Sequence, residues 1–426
     1  MAEQELRISD TPKARLKFID MARSFAILLM IEGHFTGAAL ADEYRTYDYS
    51  LYKFWHMLHG LTSPLFFAVT GVVFVYLLSK NNDVPYFQNE RVRKGFGRVR
   101  MLLFWGYFIQ FNLIVFGKSL YYGFQNVFNG NGWVFHFHFD WFYAFHVLQS
   151  IGIGIFILLI VYGVYRLINI GALHWYYLIA AIIMFTIYGY MKHHIWWDDH
   201  LVKIGEITSK ERHYWPENAP KFIQNMFYGQ FSDFSFIRYS GYTIIGGMIG
   251  SIIRTHEHNV KKWWFGTSFI VIGLIFSIFS QTMFNYVDSF TNWIGVTKYG
   301  HFSFNGTSFS RLGQVVILLG VLMLVDAYYN VKAHLFLKIG QNTFPVYIVH
   351  VIILYGGILG LGLDSSDWFH HQFNPWISVG ISAFFIAVFF YMVRHIEPLT
   401  ELYYKVFGFL YIKKRIRLRR LNKKEN

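Results

Sequence analysis

Phe18-Ile-Asp-Met-Ala-Arg23-Ser-Phe-Ala-Ile-Leu-Leu-Met-Ile-Glu32-Gly-His34 is apolar enough to enter a membrane, yet it carries an arginine and a histidine. The two sit eleven positions apart. On an α-helix that is about three turns and about 16 Å of rise, so both side chains share one face at different depths. Ionisable groups inside a span are costly and point to function. Asp20, one turn before Arg23, is placed to pair with it, whereas Glu32 points to another side of the helix.

The rest of the chain repeats the membrane signal. Hydrophobic residues make up 54% and aromatics 21%, while charged residues are only 15%, against about 25% in soluble domains. Apolar runs of spanning length fall near 19–41, 54–79, 101–121, 141–165, 174–191, 236–253, 263–282, 312–330, 338–362 and 376–393. The expected fold class is therefore all-α, a polytopic membrane helix bundle of about ten transmembrane helices. The expected division is a cytoplasmic segment 1–18, a transmembrane domain 19–393, and an interfacial and basic tail 394–426. With the N-terminus inside, most of the 38 Lys and Arg fall in inner segments. That is the positive-inside pattern, and it makes both termini cytoplasmic.

The net charge of +13 does not imply nucleic acid. The largest basic cluster, Lys413 to Lys424, directly follows an apolar segment, where it meets anionic membrane lipid. There is no cysteine, which excludes disulfides and thiolate chemistry. The first 18 residues are charged and unlike a cleavable signal peptide. His193, His194, Asp198, Asp199 and His200 are ligand-type side chains, but their spacing matches no metal motif, so no metal is expected.

Four segments carry a family resemblance. The first helix has the Arg23-x10-His34 spacing. "TSPLFFAVTGVVF" at 62–74 is a Pro-aromatic-Gly stretch. "HVLQSIGIG" at 146–154 has a Leu-Gln-x-hydrophobic-Gly pattern. "KIGQNTFPVYIVHVIILYG" at 338–356 has the order Gly-x-x-Thr/Ser, Tyr-x-x-His. In this order they resemble the transmembrane acyltransferase superfamily, which includes the acyltransferase-3 proteins and the heparan-α-glucosaminide N-acetyltransferase-like family. Ser24 departs from the Gly that usually follows the arginine.

The resemblance implies transfer of an acyl group from cytoplasmic acyl-CoA, with acetyl-CoA the favoured donor. The acceptor would be a hydroxyl or amine of a glycan or lipid-linked molecule at the outer face. A bacterial cytoplasmic membrane is the expected location. His34 is the expected base or acyl carrier, with Arg23 beside it. His56 and His59 compete for the catalytic role, because the heparan-type histidine follows the first span. Arg91, Arg93, Arg98 and Arg100, with Lys94 among them, and Gln149 are candidates for binding the donor, since guanidinium groups pair well with phosphate. Asn342, Tyr347, His350 and Arg238 are candidates for the substrate, with Arg311 placed like Arg238 at an outer helix start. The competing reading is a transporter or flippase whose polar groups line a path. No internal repeat supports it.

Overall fold

A computed structural model describes residues 16–80, 84–132, 140–192, 215–216, 218–229, 231–232, 234–296, 301–329, 331–398 and 401. The histidine- and aspartate-rich stretch 193–200, the segment 403–412, the basic tail and residues 1–15 lie outside these. Among the described residues there is no named strand, only isolated bridges such as Leu40 to Phe373 and Asn112 to Ile358. The all-α fold class holds.

The helices are α1 (Lys17–Ala39), α2 (Ser50–Leu78), α3 (Glu90–Phe108), α4 (Leu113–Phe128), α5 (Val147–Ile168), α6 (Leu173–Met191), α7 (Lys221–Phe227), α8 (Phe236–Thr255), α9 (Trp263–Trp293), α10 (Gly306–Tyr328), α11 (His334–Gln341), α12 (Thr343–Tyr355) and α13 (Pro375–Arg394). Six of the longer elements are apolar enough to cross a bilayer, and a seventh span arises if α11 and α12 are taken together. The figure of ten is thus not reproduced by length and hydropathy. α1 and α8 are long, but both carry charged or small polar residues facing other helices.

Two expected spans are broken, each for a local reason. The run at 101–121 is two helices. α3 ends at Phe108, and Asn112 caps α4 by accepting from the Val115 N–H at 2.9 Å. Gln110 turns away to donate to the Ala144 carbonyl at 3.1 Å. Ile358 fills the break, donating its N–H to the Ile109 carbonyl and accepting from the Leu113 N–H. The stretch 91–100, which falls between the expected spans 54–79 and 101–121, forms the first turns of α3, capped by Asn89.

The run at 338–362 bends by 77° between α11 and α12. Pro345 accounts for the bend. It has no N–H for the Gln341 carbonyl four residues back, and its ring clashes with that carbonyl in a continuous helix. In the first turn of a new helix it costs little, because N–H groups there have no intrahelical partner. Helix α12 ends where Gly356 takes a left-handed conformation, φ 71°, so residues 356–362 are not helical.

Helix α1 is the hub. It packs against α2, α10, α11, α12 and α13, and Phe18, Ala22, Ile27, Ile31 and Phe35 on it are fully buried. Close approach depends on small residues, as in membrane helix packing generally. Gly340 lets α11 lie directly on the Asp20 carbonyl and Ser24. Ser24, the departure from the family pattern, is buried and donates to the Phe336 carbonyl at 2.6 Å. The serine therefore ties α1 to α11.

Candidate active site

The bend at Asn342 sends α12 back along α1, and the two polar stripes meet. At the basic end, an Arg23 guanidinium nitrogen donates to the Thr343 hydroxyl at 3.2 Å. Thr343, Tyr347 and His350 recur at helical spacing. The Tyr347 and His350 rings are 5.0 Å apart by their centroids, and His350 is 5.4 Å from the His34 ring. Tyr355, at the far end of α12, places its hydroxyl 2.9 Å from His34 Nδ1.

The third wall is α2. The His59 ring lies 6.0 Å from that of His34. It rests where a side chain on Gly33 would be, so only glycine there allows it so close. Trp55 stacks on His59 at 5.4 Å, nearly parallel. The Trp55 indole N–H donates to Glu32 at 2.9 Å, and Thr36 donates to the same carboxylate oxygen at 3.0 Å. Glu32 is thereby fixed as an acceptor for Trp55, which orients His59.

A pocket opens at the other end of the stripe. Arg23, Arg98, Thr70, Thr343 and Tyr347 supply its polar wall, and Phe66, Val69, Leu102 and Ile151 are among its apolar lining residues. Tyr347 belongs both to this pocket and to the histidine cluster. The two sites are therefore joined through one side chain.

The other expected site residues divide clearly. Arg98 faces the pocket, but Arg100 lines a separate apolar groove with Phe104, Phe108 and Phe111. Arg91 and Arg93 lie on the first turns of α3 and do not line the pocket, and Lys94 pairs with Glu90 at 3.1 Å. Gln149 is fully buried. It accepts from the His146 N–H at 3.3 Å and packs on Gly106, serving the start of α5. Asn342 sits at the bend and donates to the Lys338 carbonyl at 2.8 Å. Arg238 donates to Ser308 at 3.2 Å and lies over Tyr188 and Tyr239, in the packing of α8 against α6 and α10. Arg311 donates to the Met57 carbonyl at 2.7 Å on α2. His56 is exposed and meets the Tyr47 hydroxyl, so of the two competing histidines only His59 reaches His34.

Sequence reading missed Tyr355 and Trp55, and it gave no role to Thr343, the threonine of the quoted Gly-x-x-Thr segment. Only the bend at Asn342 brings Thr343 to Arg23, and no spacing on α1 foretells it. Among the described residues no group of three His, Asp or Glu side chains converges as a metal site.

A polar stripe through a helical bundle, with arginines at one end and imidazoles at the other, has the layout of a site that holds an anion and moves a proton. A search of curated proteins gave no match. The family described as "Acyltransferase domain", acyltransferase-3, matches residues 16–395, which spans every element of the site. Of the two branches that the sequence resembles, the match falls on this one. The chain belongs to the acyltransferase-3 family and is a membrane acyltransferase.

Proposed function

We propose that the protein moves an acyl group, acetyl by preference, from cytoplasmic acyl-CoA to a hydroxyl or amine of a glycan or lipid-linked acceptor at the outer face. The observation that carries this reading is the run of side-chain contacts from the Arg23–Arg98 pocket through Tyr347 and His350 to His34. Arg23 and Arg98 supply guanidinium groups for phosphate. The apolar lining suits the uncharged pantetheine arm, which carries the thioester towards His34. The rise of about 16 Å along α1 separates phosphate recognition from chemistry.

In the reaction His34 acts through Nε2. When Nδ1–H donates to the Tyr355 oxygen, the lone pair is on Nε2, and that nitrogen takes the proton from the acceptor hydroxyl. The acceptor oxygen bonds to the thioester carbon, and the carbon–sulfur bond breaks. The products are the ester and CoA.

Equilibrium binding of acetyl-CoA to protein reconstituted in nanodiscs tests the donor half of this reading. Binding is expected for the parent protein and is weakened by Arg23→Gln and by Arg98→Gln, with little effect from Arg238→Gln. Absence of binding by the parent protein would favour a transporter instead.

A further inference from the structure

His350 is buried completely, with 0% exposure. Among the described residues, neither of its ring nitrogens makes a hydrogen bond. A buried polar side chain without a partner is destabilising, and inside a membrane domain the cost is not relieved by bulk water. Its neighbours are specific. On one side is His34, at 5.4 Å between ring centroids. On the other is Tyr347, at 5.0 Å, which lines the arginine pocket.

Proton balance gives this position a task. Transfer removes a proton from the acceptor, at the His34 end. It leaves a thiolate on CoA beside the carbon attacked, on the side from which the pantetheine arm arrives past Tyr347 and His350. An imidazolium left at His34 would be a charge stranded in the bundle, and an unprotonated thiolate would leave as an anion. Two cationic imidazoles side by side in a low-dielectric interior are disfavoured, whereas one proton passed between them keeps a single charge.

We propose that His350 is a proton relay between His34 and the sulfur of the departing CoA. Once His34 Nε2 has taken the acceptor proton, one nitrogen of His350 accepts it. The other nitrogen gives up its own proton to the thiolate as the carbon–sulfur bond breaks. The imidazole finishes neutral, as its other tautomer, and a small rotation of the ring restores it. The overall step is thioester plus alcohol to ester plus thiol, with no proton gained or lost. A histidine suits the task because its two nitrogens act on two different partners. This inference rests on the acyl-CoA reading above.

Inside-out vesicles from cells making the full chain carry the native acceptor and expose the cytoplasmic face. Release of free CoA from added acetyl-CoA is measured with a thiol reagent, alongside acetyl-CoA binding to the same protein in nanodiscs. His350→Gln is expected to lower CoA release on the order of a hundred-fold, the range of general acid–base catalysis, while leaving acetyl-CoA affinity within about twofold. Added imidazole is expected to restore part of the rate in His350→Ala, whose cavity admits it, and none in His350→Gln. CoA release by His350→Gln within about threefold of the parent would overturn the relay and leave the acyl-CoA reading intact. So would loss of acetyl-CoA binding together with release, since that is the mark of a packing role. Parent vesicles that release no more CoA than vesicles lacking the protein would overturn the acyl-CoA reading, and the relay with it.

Discussion

Tyr355 is half exposed, yet its hydroxyl is hydrogen-bonded to His34 Nδ1 at 2.9 Å. When His34 Nδ1–H donates to it, Nε2 is left free for the acceptor proton, so in the proposed reaction the tyrosine is a positioning residue. Tyr355→Phe is expected to lower kcat about tenfold with KM for acetyl-CoA unchanged, because tautomer and ring orientation suffer while the imidazole remains. His34→Ala removes the base itself, and acyl transfer is expected to fall at least about a hundred-fold without loss of thermal stability. Normal transfer by His34→Ala would pass the base role to His59, the only one of the competing pair that reaches the cluster. Gly33 is the matching small residue on α1. Gly33→Ala forces the His59 ring aside and is expected to cost about 1–3 kcal/mol by overpacking, read as a lower unfolding midpoint in detergent.

At the scale of elements, the bend between α11 and α12 organises the site. A straight helix over 334–355 would carry Thr343 away from Arg23 and His350 away from His34. Gly340 is the hinge's contact with α1, where backbone meets the Asp20 carbonyl and Ser24. Gly340→Leu is expected to abolish both stability and acetyl-CoA binding, detected by early elution as aggregate in size-exclusion chromatography. Pro345 lies beside this break, but a proline alone does not foretell it: the apolar run 338–362 reads as one span, and α2 runs unbroken through Pro64. The break at 109–112 is different. Gln110 and Asn112 interrupt the pattern there, but the partner that stabilises the opened backbone is Ile358, far along the chain. Local propensity cannot reveal that pairing.

On the scale of the whole molecule, the proposed direction of transfer requires the basic end of α3 to face the cytoplasm and the histidine cluster to be reached from outside. The chain contains no cysteine, so single substitutions map its sides without background. Lys94→Cys is expected to react with a membrane-impermeant maleimide only in inside-out vesicles, and Tyr47→Cys only in intact cells. The opposite pattern would reverse the proposed path from donor to acceptor. Both positions are exposed, so labelling reports side rather than burial.

Composition and periodicity were enough for an all-helical membrane bundle, because apolar length is a local property of the chain and the bilayer imposes it. They also singled out Arg23 and His34, since a charge within a span is visible without any neighbour. Which basic residues turn inward could not be read the same way. Arg98 and Arg100 are two positions apart, so on a helix they face nearly opposite sides. Only packing of α3 against its neighbours gives one to the pocket and the other to an apolar groove. Likewise, His56 and His59 are equal in sequence, and the glycine gap at Gly33 on another helix separates them. The site depends on contacts between residues more than three hundred positions apart, such as Arg23 with Thr343 and His34 with Tyr355. These form because a proline bend and small residues let α11 and α12 lie against α1, which a one-dimensional pattern does not encode.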